Sequence, residues 1–159
     1  MDKDFKLVNP DWSRFTLHTY EVDDATMVDP HDDTRVLQGE WVELTADDKV
    51  VRTTDEAVLH FPMVDIPGQY DVQAIQGISV IKMGNFEVLT TVFNDGLGVG
   101  DAGELNALGQ PFMIDAKSWN PGPNNRGIPT LWAAWPDLLV GYVTKVPSGG
   151  YIKLQTVTF

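Results

Sequence analysis

Glycine and proline interrupt this chain too often for long helices to form. The 159 residues include 14 glycines and 10 prolines. Between the breaks lie short runs in which apolar and polar residues alternate, the period of a strand with one face buried. The clearest is Tyr151-Ile152-Lys153-Leu154-Gln155-Thr156-Val157-Thr158-Phe159, with Ile152 and Leu154 on one face and Lys153 and Gln155 on the other. Residues 138–144 read as its hairpin partner, with Pro147-Ser148-Gly149-Gly150 as the turn. A second hairpin runs from Glu40-Trp41-Val42-Glu43-Leu44 through Thr45-Ala46-Asp47-Asp48 to Lys49-Val50-Val51-Arg52-Thr53, with Val42 and Leu44 facing the core. A third is expected from 77–82 and 86–93 around Met83-Gly84-Asn85, both arms rich in β-branched and aromatic types. Residues 109–114 read as a short strand with Pro111 at its edge or start. The best helix candidate, 101–108, has room for one or two turns only, and no eleven-residue window carries a helical stripe. The expected fold class is therefore all-β: eight to ten strands in a small antiparallel barrel or sandwich.

Three segments do not read as strands. Residues 1–20 carry Phe5, Trp12, Phe15 and Tyr20 around Asn9-Pro10. Residues 21–35 are acidic, with Glu21, Asp23, Asp24, Asp29, Asp32 and Asp33. Residues 117–137 hold Pro121, Pro123, Pro129 and Pro136 with Trp119, Trp132 and Trp135. The chain divides accordingly into an extended N-terminal arm with an acidic loop, 1–35, and a single β domain, 36–159. A chain of this length buries about 70 % of its surface as one domain.

Charge narrows the partners. Eleven Lys and Arg against 23 Asp and Glu give −12 at neutral pH. Binding to phosphates depends on Lys and Arg displacing counterions, so nucleic acid is not expected as a partner. Nor is a membrane, since no run of ~18 apolar residues occurs. The start, Met1-Asp2-Lys3-Asp4-Phe5, lacks the basic-then-apolar profile of a signal peptide. There is no cysteine, which excludes disulfides, thiolate metal sites and cysteine nucleophiles.

No motif for chemistry stands out. Gly98-Val99-Gly100-Asp101-Ala102-Gly103 matches G-x-G-x-x-G, but Gly109-Gln110-Pro111 stops any helix that would carry a pyrophosphate, so a loop is expected. The acidic run lacks EF-hand spacing and reads as a solvated loop. His18, His31 and His60 lack metal-ligand spacing, and none of Ser13, Ser79, Ser118 and Ser148 lies in G-x-S-x-G. With so many acids, a close carboxylate pair carries no signal for glycoside hydrolysis. No catalytic residue, no cofactor and no metal ligand is assigned. Trp119, Trp132 and Trp135 can stack on sugar rings, or fill a core or subunit interface. The aromatic N-terminal arm either wraps its own domain or gains burial and edge-strand hydrogen bonds on a neighbour.

Two stretches bear a family resemblance. Leu37-Gln38-Gly39-Glu40-Trp41-Val42-Glu43-Leu44 followed by Asp48-Lys49-Val50-Val51-Arg52-Thr53, and the closing run from Val140-Gly141-Tyr142-Val143-Thr144-Lys145 through Pro147 to Gly150-Tyr151-Ile152-Lys153-Leu154, resemble the hairpins of tailed-phage capsid decoration (cement) proteins of the lambda type. The resemblance covers about a third of the chain and departs from the smallest members in its long middle and its Trp/Pro-rich segment. It implies a small β-rich body with an extended arm. It further implies a homotrimer on the capsid exterior of the virion, made in the host cytoplasm, with the major capsid protein as partner and a capsid strand joined by the arm. The family has no catalytic residues to carry over. The interface residues expected on this reading are Phe5, Trp12, Phe15 and Tyr20 in the arm and Trp119, Trp132 and Trp135 in the loop. Alternatives are a phage tail or baseplate component, a carbohydrate-binding β-sandwich and, last, a small hydrolase on a β-barrel.

Overall fold

A computed structural model describes residues 5–11, 13–29, 31–54, 60–62, 77–97, 102–118, 125–134 and 137–157. In chain order the strands are β1 (Phe5–Leu7), β2 (Phe15–Glu21), β3 (Trp41–Leu44), β4 (Val50–Arg52), β5 (His60–Pro62), β6 (Gly77–Gly84), β7 (Glu87–Thr90), β8 (Pro111–Ser118), β9 (Asn125–Leu131), β10 (Gly141–Ser148) and β11 (Tyr151–Thr156). A 3-10 turn, Ala25–Met27, is capped by the Asp24 carboxylate, which accepts from the Thr26 N–H. Eight strands follow one path, β1-β7-β11-β10-β8-β9-β3-β4, with β5 on β3 beside it, and β2 and β6 form a separate pair. The long sheet is antiparallel and curls into a half-barrel, so the all-β expectation holds.

The C-terminal alternation builds the middle of this sheet. Ile152, Leu154 and Thr156 of β11 are buried while Tyr151, Lys153 and Gln155 are not. The turn to β10 is Gly149-Gly150, both at positive φ (59° and 84°), the handedness that matches strand twist in a two-residue hairpin. Strand β10 runs later than the alternation predicts, to Ser148, because the two glycines make the turn without Pro147 and Ser148. At its other end Gly141 lies between β11 and β8, where a β-carbon would overlap the Gln155 carbonyl oxygen and press on the Phe112 ring. Gly141→Ala is expected to cost about 1–3 kcal/mol through forced strand separation, read as a lower thermal midpoint; an unchanged midpoint would refute this close approach. Strands β3 and β4 form the second hairpin as expected, with Val42 opposite Arg52 and Leu44 opposite Val50.

Four expectations are corrected. First, β6 and β7 are not a hairpin: β6 pairs with β2, and β7 lies between β1 and β11. Gly84, at φ 116°, packs against the Arg14 backbone too closely for any side chain, and the chain turns there from one sheet into the other. Secondly, residues 5–35 are not an arm apart from the body. Strand β1 pairs with β7, β2 pairs with β6, and Phe5 and Phe15 are 7 % and 5 % exposed in the main core. Such strands are hidden in the sequence because β1 has only three residues, and β2, with seven, buries only Phe15 fully and so shows no alternation of buried positions. Thirdly, part of the proline-rich segment is a strand, β9, with Pro129 inside it opposite Ile114. Proline survives there because β3 touches β9 only at Gly127, so at Pro129 the side away from β8 needs no ladder N–H. Fourthly, residues 102–110 contain no helix; they form an extended run and a turn.

The interior has two main parts. One cluster centres on Trp41, Phe86, Phe112, Ile114, Ile152 and Leu154, with Phe5 and Phe15 closing it. The other joins Met27, Val28 and Val36 of the acidic segment to Val42, Val50, Ile78 and Val80.

Candidate functional site

The acidic segment is anchored by buried charge. Glu40 is fully buried and Arg126 is 2 % exposed. Arg126 Nη1 donates to Glu40 Oε1 at 2.6 Å and to the Arg35 carbonyl at 2.8 Å, and Nη2 reaches the Asp33 carbonyl at 3.4 Å. Arg52 Nη1 stands 3.7 Å from the other oxygen of Glu40. Burial pushes the Glu40 carboxyl up, and the two guanidiniums oppose that shift. Burial lowers the Arg52 pKa, opposed by Glu40. On the surface, hydrogen bonds from Thr26 and Thr34 hold the Asp24 and Asp32 carboxyls below their ordinary range. The cluster thus ties the loop's carbonyls to Arg126 of β9, leaving its carboxylates outside.

Beside it, Asp23, Asp24, Met27, Val51, Arg52 and Thr54 line an open cleft of about 210 Å³. That is below the ~300 Å³ at which ligand pockets begin. Among the described residues, no three His, Asp or Glu side chains are grouped to hold a metal ion.

The edges of the sheet differ. At the β4 end a parallel bridge joins Val22 to Val50, and the Asp23 N–H donates to the Val50 carbonyl. At the β1 end no further strand is present among the described residues. The connection between β7 and β8 carries exposed apolar groups. Leu97 and Leu108 are 74 % and 69 % exposed. The loop between β7 and β8 that bears them is pinned by Asn94, whose side chain bonds the Ala102 carbonyl, Thr130 and the Gly96 N–H, and by buried Leu105. The Gln110 side-chain oxygen accepts from the N–H groups of Asn106 and Ala107, which fixes the turn at Leu108. Leucine among turn residues was the available sequence signal.

The outer face of the sheet carries lysines. Lys6 of β1 lies opposite Leu89 of β7, Leu89 opposite Lys153 of β11, and Lys153 opposite Lys145 of β10.

The predicted interface residues scatter. Phe5 and Phe15 are used by the chain's own core, a correction to their expected place in an intermolecular contact. Tyr20 is half-buried against the second cluster, stacked on His18 with centroids 5.9 Å apart and Lys82 Nζ 5.5 Å from its ring. Trp132 is half-buried, its indole N–H donating to the Asp137 carbonyl at 3.0 Å. Trp12, Trp119 and Trp135 lie outside the described residues. Of the four described ones, Phe5 and Phe15 share a cluster while Tyr20 packs on the other. Compared with family models, curated proteins and solved structures, the chain matches none.

Proposed function

We propose that this chain is a capsid decoration subunit, a homotrimer that seats on the exterior of a virion shell and braces neighbouring copies of the major capsid protein. One observation carries the proposal: among the described residues β1 is an end strand of the long sheet with no further strand beside it, whereas the opposite edge is covered by the Val22–Val50 bridge. An extended capsid segment adding there gains main-chain hydrogen bonds of about 0.5–1.5 kcal/mol each. Three residues offer few such bonds, so one copy holds weakly. A trimer multiplies the hold, because each later attachment is intramolecular. Leu97 and Leu108 add apolar contact from rigid supports.

The arm takes part through its backbone edge and not through free aromatic rings. Deleting 1–20 would remove Phe5 and Phe15 from the core and so is a poor test of docking. Co-sedimentation of the intact chain with expanded capsids that lack it is the direct one. The expected result is saturable binding, a higher melting temperature of the shell and slowed amide exchange in β1. A chain left in the supernatant, or bound with β1 exchange unchanged, refutes the reading.

A further inference from the structure

The lysine row stands out on a chain of net charge −12. It gathers three of seven lysines on one line across four strands. Ile152 and Leu154 are buried, which puts Lys153 between them on the outer face, and the register shift between Val143 and Lys145 brings Lys145, exposed, opposite Lys153. Like charges directly opposite one another on neighbouring strands repel. Among the described residues no ion pair joins Lys145 or Lys153 to a carboxylate. The acid on the next rung, Glu87, accepts a hydrogen bond from Thr144 Oγ1 at 2.9 Å. Exposed Tyr142 and Val146, on the same strand as Lys145, supply apolar contact beside the charges.

The complementary charge is on the same molecule but elsewhere. Glu21, Asp23 and Asp33 are exposed on the segment that backs onto the second core cluster, while the lysine row overlies the first. A basic patch and an acidic patch at separate places cannot meet within one copy. They can meet between copies, head to tail, and a contact of that type closes into a ring when its rotation allows. A free polyanion is a poorer occupant, since the whole-chain charge repels it at long range and it brings no apolar surface for Tyr142.

We propose that the row formed by Lys6, Lys153 and Lys145 docks the acidic segment 21–33 of a second copy. This deepens the homotrimer part of the reading above and does not depend on the shell part. Exposed charge pairs are screened within a Debye length of about 8 Å at physiological salt, so the contact weakens as salt rises.

Sedimentation velocity of the full chain without any shell tests it. The wild-type chain is expected to associate with rising concentration, less so at high salt. Lys145→Glu with Lys153→Glu is expected to weaken association roughly tenfold or more, and so is Asp23→Lys with Asp33→Lys. Circular dichroism checks that each variant remains folded. An equimolar mixture of the two variants restores pairwise association as mixed dimers, because each reversed patch then finds a match, whereas a three-membered ring always leaves one like-with-like contact and does not close. Association that survives either reversal overturns this contact and leaves the homotrimer reading standing. A mixture that stays dissociated also overturns the contact. A wild-type chain that is monomeric throughout overturns both, and shell co-sedimentation remains a separate measurement.

Discussion

Arg126→Met is expected to lower folding stability by about 3–5 kcal/mol, the usual consequence of removing one partner from a buried ion pair. For a chain of this size that corresponds to a fall in thermal midpoint of roughly 6–20 °C. Glu40 would remain fully buried with its nearest cation, Arg52, at 3.7 Å and without the 2.6 Å hydrogen bond it now accepts. The carbonyls of Arg35 and Asp33 would lose their donor as well, loosening the acidic segment. The defect is expected to depend on pH. The folded-state pKa of Glu40 is already raised by burial, and Arg126 is the largest influence holding it down. Without Arg126 it rises further, so the folded state binds a proton that the unfolded state releases. The deficit is therefore full above that raised pKa and shrinks as pH falls toward the unfolded value of about 4.3. Pairing Arg126→Met with Glu40→Gln should cost less than the sum of the single changes by about 0.5–3 kcal/mol, because the second change removes the charge that the first stranded. Urea unfolding at several pH values measures all of this; additive, pH-independent losses would show that the pair is not coupled.

Trp41→Ala is expected to cost about 3–5 kcal/mol through the cavity it leaves. Trp41 is 1 % exposed and sits where β3 meets β5 and β9. Its ring stacks on Phe86 with centroids 6.3 Å apart and meets Phe112 edge-on at 6.4 Å, contacts worth about 0.5–1.5 kcal/mol each beyond burial. Its carbonyl accepts from the buried Thr53 hydroxyl at 2.8 Å, and Gly127 packs against the same carbonyl with no room for a side chain. Trp41→Phe keeps a ring in place and should lose less. A loss below about 1 kcal/mol for Trp41→Ala, read from the denaturation midpoint at unchanged slope, would mean that this junction does not organise the core.

Legibility in the sequence followed the range of the physics. Where the partner of an alternating strand followed after a short turn, the residues announced both, as Ile152 and Leu154 against Lys153 and Gln155 did for β11 and the run 40–53 did for β3 and β4. Pairings between distant segments left no such mark. Nothing near Phe5 points to Thr90, and nothing near Phe15 points to Gly84. Short aromatic-bearing runs therefore read as groups awaiting another molecule when the chain itself takes them up. Pro129 misled in the same way, because a proline rules out a strand only where its N–H is needed, and on the side away from β8 its carbonyl accepts from the Asn94 N–H of a loop that asks for no N–H in return. The interaction surfaces were less legible still. Lys6 lies far in sequence from Lys145 and Lys153, which share one hairpin, and only the register of four strands sets all three in a row. Glu40 and Arg126 are 86 residues apart, and neither looks unlike any other surface charge until the fold closes over both.

The sequence by itself determined that this protein is antiparallel β structure with acidic, turn-rich connections, because side-chain alternation, glycine handedness and net charge act over neighbouring residues or over the whole chain at once. Only the tertiary structure decided which edge stays open, which rings are consumed and which charges are buried or aligned. Those depend on contacts between residues tens of positions apart, whose free energy appears only after the chain has closed and water has left the space between them.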